Sequence, residues 1–424
     1  MTQADKPSIL AGVRVLDFGH YIAAPILTRM MADMGAEIIK IELAPRGDLS
    51  RVYPYLKAGQ SGAYIQHNRG KQSVCLDLKK PEAVEIVKGL VPQVDVVIEN
   101  FSPGTLAKYG LGYDELKKLH PRLIMCSISG YGQDGPYAQR PGNDTVAQAM
   151  SGLMHLTGDP HGSPTYVGIY IADENAGVHG LAAVCAALYY REKTGIGQYI
   201  DLSLIECLFH LHDTAIQFYV LSDGELNPTR FGAHHYAVAP CGIFQARDGY
   251  IVIAVLVHQW ELFARTIGKP ELAADPRFDT NEKRAENRFA LVKIIEEWLQ
   301  SFPSREEPLA ILQEVRILSA PVLDIAQAIN HPQTQARRAM QDVPHPGLGP
   351  VALPKSPFRF SETIVEIRRR APLLGEHNES ILSRYLGYSA EKIVALTDSG
   401  ALLQEPLVRE LRQRGEIPAA EIVR

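Results

Sequence analysis

VRVLDFGHYIAAPILTRMMADMGAEIIKIE, residues 13–42, passes from one β-branched run through a helical stretch to a second β-branched run. Val13–Phe18 reads as a short strand. Pro25 suits the first turn of a helix, Ile26, Met30 and Met34 share one face of it, and Gly35 closes it. Glu37–Glu42 is the next strand. Outward from this unit the pattern repeats. Pro81–Val91 carries Val84, Val87 and Val91 on one helical side, and VDVVI (94–98) and LIMCSI (123–128) read as buried strands with a helical pattern between them. Strands that alternate with helices imply a parallel sheet covered on both faces. The expectation is therefore an α/β protein with a Rossmann-like large domain.

In such a sheet ligands bind beyond the carboxyl ends of the strands. Gly19-His20-Tyr21, Glu99-Asn100-Phe101 and Ser129-Gly130-Tyr131 all fall there. No GxGxxG follows the first strand, so a dinucleotide is not the expected ligand, and no P-loop motif is present. A long helical run, Ser203–Leu221, leads into the turn-rich stretch SDGELNPTR, and a strand at Tyr250–Val255 opens a smaller α/β segment. VPHPGLGPVALPKSP (343–357) looks extended, with helix from Ala390. The expected boundaries are a large Rossmann-like ligand-binding domain at 1–202, a helical linker at 203–231, a small domain at 232–336, and a return segment with C-terminal helices at 337–424.

The 424 residues include 43 basic and 48 acidic side chains, for a net charge of −5. That offers no footprint for nucleic acid or an anionic membrane, so any bound anion must meet a local basic site. Five scattered cysteines show no metal-ligand spacing, which reads as a reduced, cytoplasmic protein without a metal. MTQADKPSIL lacks the charge and apolar order of a signal peptide, and the apolar run Leu181–Tyr190 is too short to span a bilayer.

Asp173 stands where PTYVGIYIA meets the helical stretch ENAGVHGLAAVCAALYYR. Read locally it is an N-cap, worth about 1 kcal/mol. A nucleophilic carboxylate would instead need to be reachable by an electrophile. Ala172, Ala176, Gly177 and Gly180 would let either a ligand or another helix approach closely. GYGQDGPYAQRPGND (130–144) is an irregular loop, and long ordered loops are usually functional. Arg51, Lys71, Lys108 and Arg140 lie in or near loops at one end of the sheet. His234 and His235 are adjacent, so on a strand their rings would face opposite ways, which disfavours a metal.

Taken together, GVRVLDFGHYIAAP, MGAEIIKIE with GDLSR, NRGKQS, VVIENFSPGTLAKYGLGYDEL, PRLIMCSISGYGQDGPY, VAQAMSGLM, IADENAGVHGLAAVCAALYYREKTGIGQYIDLSL, Asp275-Pro276-Arg277-Phe278 and APLLGEHNESIL resemble the class III CoA-transferases along nearly the whole chain. This is the family of formyl-CoA transferase and carnitine CoA-transferase. The resemblance implies an interlocked homodimer that binds an acyl-CoA donor and a carboxylic acid acceptor, with Asp173 as the catalytic nucleophile. It implies contacts to coenzyme A at Ile22, Ala23, Asn68, Arg69, Gly70, Lys71, Asn100, Phe101, Ser102, Lys108, Arg140 and Asn143. Lys71, Lys108 and Arg140 would pair with phosphates. His20, His234 and His235 are candidates for substrate contact. Ile22 stands where the formyl enzyme has a glutamine, and Leu43 where it has an arginine, so formate–oxalate exchange is not expected. An α-methylacyl-CoA racemase shares this fold but needs a histidine base in a GHD pattern. Here the residues are Gly142-Asn143-Asp144, and asparagine takes no proton at neutral pH. A CoA-binding homologue without catalysis is the third reading.

Overall fold

The computed structural model describes residues 6–418, and its chain divides into two compact units. Residues 1–5, which carry part of the signal-peptide reading, lie outside the described residues, as do 419–424. The first unit takes residues up to 151, 168–212 and 335 onward; the second takes 152–167 and 213–334. The short stretch 152–167 thus leaves the domain expected at 1–202 and joins the second unit.

The first unit is built on β1 (Arg14–Asp17), α1 (Ala23–Asp33), β2 (Glu37–Leu43), β3 (Lys71–Leu76), α2 (Pro81–Leu90), β4 (Val96–Glu99), β5 (Ile124–Ser129), α3 (Asp144–Met150), α4 (Ile171–Thr194) and β6 (Tyr199–Ser203). The six strands form one sheet in the order β3-β2-β1-β4-β5-β6, and every neighbouring pair is parallel. Strand order reverses between β1 and β4, which is the topological switch point of a doubly wound fold. On one face Leu16, Ile39, Val74 and Val97 pack against Ile86, Val87 and Leu90 of α2. Ile381, Leu382, Ile393 and Leu396, from helices at Asn378–Leu386 and Ala390–Asp398, join the same core. The C-terminal helices therefore return to the first unit and begin earlier than Ala390.

α1 and α4 pack against each other. A Cβ on Gly177 would sit 2.5 Å from Ile26 Cγ2, and one on Gly180 would sit 2.5 Å from Leu27 Cδ1. Gly177 and Gly180 serve this close helix contact. The proline-rich 343–357 stretch is extended but not solitary: Met340–His345 and Gly349–Pro354 pair as an antiparallel hairpin.

In the second unit, β7 (Cys241–Ala246), β8 (Gly249–Ala254) and β9 (Leu318–Pro321) form an antiparallel sheet in the order β9-β8-β7. Phe244, Ile251 and Ile253 pack from it onto Trp260, Phe263, Leu291 and Ile295. The single helical run expected over Ser203–Leu221 is two helices, Leu204–His210 and Ala215–Leu221. Asp213 Oδ1 takes the N–H of Thr214 at 2.7 Å, a local bond that competes with helix continuation. The boundary between the units falls at that break. Among the described residues no helix is long and apolar enough to cross a membrane.

Candidate active site

The loop that leaves β1 is held from beneath by buried charge. Asp17 Oδ1 accepts the Gly19 N–H at 2.7 Å, and its Oδ2 pairs with Lys71 Nζ at 3.0 Å and accepts from Thr28 Oγ1 at 2.8 Å. Lys40 Nζ donates to the Gly19 carbonyl and pairs with Asp48 Oδ2 at 2.9 Å. Asp48 Oδ1 accepts the N–H of Tyr21 at 3.0 Å. Asn100, at the end of β4, accepts the His20 N–H and donates to the His20 carbonyl, both at 2.9 Å. Three consecutive residues are therefore pinned through their backbone, and Tyr21 is kept at φ +61°. Burial opposes the Asp48 charge, but Lys40 and the backbone donors outweigh it and hold the carboxyl well below its usual range.

This network corrects the sequence reading of the basic set. Lys71 is buried in its bond to Asp17, and burial pulls its pKa down to about 7. It has no surface from which to reach a phosphate. Asn68 is buried beside it and accepts from Lys71 Nζ at 2.9 Å, while Arg69 is buried against Asp33 at 2.8 Å. Gly70 bonds through its N–H to the Arg369 carbonyl. None of these four lines the cavity described next. Arg51 is also taken, paired with Glu42 at 2.6 Å.

A cavity of about 550 Å³ opens at the carboxyl ends of β1, β4 and β5, over the switch point. It gathers His20, Ile22 and Ala23 from the first loop, and Asn100, Phe101 and Ser102 from the second. Arg140 and Asn143 of the glycine-rich loop and Asp173 complete the set of expected residues found there. Arg140 lies over the Tyr137 ring, 3.6 Å from its centroid. Lys108 is exposed on the turn Ala107–Tyr109 and does not line the cavity. His234 and His235 line a separate cavity of about 10 Å³ within the second unit, beside Phe244 and Arg288. That is room for about one water, too little for an organic acid. The chain there makes a single bridge, His234 to Gly242, not a regular strand, so the alternation expected of a strand does not apply.

Asp173 is not the cap of α4 but its third residue, within the first turn. The capping work is done by Asp144, the first residue of α3, whose Oδ1 accepts the N–H groups of Ala172 at 2.7 Å and Asp173 at 3.3 Å. Asn143 in turn caps α3 through Val146 N at 3.1 Å. The Asp173 carboxyl is left without a hydrogen-bonding partner among the described residues. Burial, then the neighbouring Asp144 charge and then Glu174 push its pKa up to about 7. A carboxyl so placed is more basic than an ordinary aspartate, and it faces an open cavity. It is suited to attack an electrophile. Asp144 escaped the sequence reading as a cap because it closes one loop while capping a helix 28 residues further on.

The family model described as "CoA-transferase family III" matches residues 10–378. The chain is 34% identical over 410 residues to the human protein named succinyl-CoA:glutarate CoA-transferase, covering 95% of this chain and 92% of that one. It is 37% identical over 391 residues to the succinyl-CoA–L-malate CoA-transferase beta subunit of Chloroflexus aurantiacus, covering 91% and 96%. Among solved structures, a CAIB/BAIF family protein from Brucella suis superposes with a TM-score of 0.81 at 35% identity, covering 90% of this chain and all of that one.

Proposed function

The chain belongs to CoA-transferase family III and is a CoA-transferase, and from that premise we propose that Asp173 carries the acyl group during transfer. The observation that bears most weight is its unpartnered carboxyl in the cavity over the switch point.

In the proposed cycle an Asp173 oxygen attacks the donor thioester carbonyl, the C–S bond breaks, and CoA leaves as the thiolate. The product is a mixed anhydride between Asp173 and the donor acid. The thiolate then attacks the Asp173 carbonyl and releases the donor carboxylate, which leaves an aspartyl-CoA thioester. An acceptor carboxylate attacks this thioester, expels the thiolate again and forms a second anhydride. Attack of the thiolate on the acceptor carbonyl gives the new acyl-CoA and restores the Asp173 carboxylate. Each anhydride keeps the activation of the thioester only while water is excluded. Ile22, Ala23, Asn100, Phe101, Ser102 and Asn143 would line coenzyme A, with Arg140 and Lys108 meeting its phosphates.

Both named relatives act on short dicarboxylic acids, which makes such an acid the proposed acceptor here. An interlocked homodimer in the cytoplasm completes the reading. Asn143 in the cavity speaks against a racemase, because its amide is no base. The test is mass spectrometry of the protein after exposure to acyl-CoA donors: an adduct on the peptide that carries Asp173 is expected, and an unmodified Asp173 under turnover would sink the mechanism.

A further inference from the structure

Five rings follow one another along the cavity. Phe101 neighbours His20 with centroids 4.9 Å apart, His20 neighbours Tyr21 at 5.1 Å, Tyr21 neighbours Tyr53 at 6.4 Å, and Tyr53 neighbours Tyr170 at 6.3 Å. All five line the cavity. The row starts at Phe101, where coenzyme A is expected, and ends at Tyr170, the residue before α4. Tyr170 and Asp173 are three positions apart around the first turn, which brings them to one side of the helix start. The hydroxyls of Tyr53 and Tyr170 are hydrogen-bonded to each other. The aromatic row thus ends on a pair of phenols that share the cavity with Asp173.

The charges around the cavity decide what such a pair is for. Of the lining residues, Arg140 is the one lysine or arginine, while Asp144 and Asp173 are both acidic. With Arg140 given to a CoA phosphate, the donors left in the lining for the far end of a substrate are neutral. A carboxylate oxygen placed between the phenols accepts a hydrogen bond from each hydroxyl, in exchange for their mutual bond. A methyl group placed there gives the hydroxyls nothing. Sites built to hydrogen-bond a polar group reject the analogue that lacks it far more strongly than apolar pockets reject one extra methylene. The ring faces between Phe101 and Tyr170 suit the few methylenes that separate two carboxyls.

We propose that Tyr53 and Tyr170 form the specificity pair of the site, gripping the distal carboxylate of a short dicarboxylic acid while its other carboxyl reacts at Asp173. This rests on the transferase reading above. It places acceptor recognition in the first unit, not at His234 and His235.

The experiment lets glutarate and pentanoate compete as acceptors, with acetyl-CoA as donor and acyl-CoA products counted by mass spectrometry. The full chain, Tyr53→Phe, Tyr170→Phe and the double variant are compared, with Tyr189→Phe on the exposed side of α4 as control. The unaltered chain should prefer glutarate, each single variant should lose about tenfold of that preference, and the double variant should lose most of it. The loss should sit in the glutarate KM more than in kcat. Because Phe keeps the ring, matched thermal melts separate a lost hydroxyl from a lost fold. A preference unchanged in the double variant, or a wild-type preference for pentanoate, would overturn the pair. If Asp173 acquires its adduct while the preference stays put, the pair alone is wrong. If no adduct forms and neither acid is charged, the transferase mechanism fails and the pair fails with it.

Discussion

Beneath the β1–α1 loop and at the start of α4, buried carboxyl groups meet opposite treatment. Asp17, Glu42 and Asp48 are fully enclosed, yet each has a cation: Lys71, Arg51 and Lys40. Burial opposes the charge of Glu42 as it does that of Asp48, but the paired cation prevails and both carboxyls are held below their ordinary range. Asp173 has no cation. Its nearest charged neighbours are Asp144 and Glu174, and they add to burial, not against it. Desolvation is common to both regions, so the sign of the neighbour decides the outcome. The first arrangement fixes a loop. The second holds a carboxylate in an unfavourable state, which is the condition a nucleophile needs.

Removing the uncompensated group should separate activity from stability most sharply. Asp173→Asn should lower CoA transfer by at least about a thousandfold. The same change should raise the thermal midpoint at neutral pH. The folded-state pKa of Asp173 is raised from 3.8 to about 7, so folding prefers the protonated form. Its penalty is absent below pH 4, grows between pH 4 and 7, and is complete above 7. Melts of the two proteins should therefore coincide near pH 4 and diverge by pH 8, with the asparagine variant the more stable. A variant that melts lower at pH 8 would contradict this account of the site.

The compensated region should respond in the reverse way. Lys40→Met leaves Asp48 buried without its cation and should cost about 3–5 kcal/mol, read from denaturant midpoints. Adding Asp48→Asn should recover part of that loss, because the orphaned charge goes with it. No such recovery is expected when Asp173→Asn is combined with Asp144→Asn, because those two groups repel.

How much of this was legible beforehand follows from how local each feature is. Val13–Phe18, Glu37–Glu42, VDVVI and LIMCSI are apolar enough to reveal themselves, and the rule that ligands sit beyond strand ends led to His20, Asn100 and Phe101. KQSVCL was missed as a strand because Lys71, Gln72 and Ser73 look solvent-facing. All three are buried, Lys71 against Asp17, 54 residues away in the chain. YIDLS is an edge strand with exposed and half-buried positions in turn, a weak pattern. Asp173 looked like a cap because the residue that does the capping arrives from another loop. The Tyr53–Tyr170 pair joins positions 117 apart, and no local pattern marks it.

Asp144 offers the finer test of the comparison. Asp144→Asn keeps an oxygen that can accept from Ala172 and Asp173 but removes the charge. In the proposed cycle Asp173 attacks as the carboxylate, so kcat/KM should rise with pH through about 7 in the unaltered chain. Without the Asp144 charge the half-maximum should move toward lower pH by roughly one unit. An acid limb that stays in place would mean that burial alone sets the basicity of Asp173. The helix also loses a charged cap, at a cost of about 1 kcal/mol.

The smallest effect is expected at Arg140, the cation exposed on the cavity rim. Its guanidinium lies over the Tyr137 ring and has no carboxylate partner among the described ion pairs. Unlike Lys71 it can turn to a ligand phosphate without breaking a buried pair. Arg140→Ala should raise the KM for the acyl-CoA donor several-fold, about 1 kcal/mol, with kcat nearly unchanged, since the contact would be made equally in ground and transition states. The difference from wild type should shrink as salt is added, because an exposed ion contact is screened over roughly 10 Å at 0.1 M. Lys71→Met would fail that test in an informative way. Its loss should appear in folding stability and persist at high salt, because the charge it neutralises lies inside the protein.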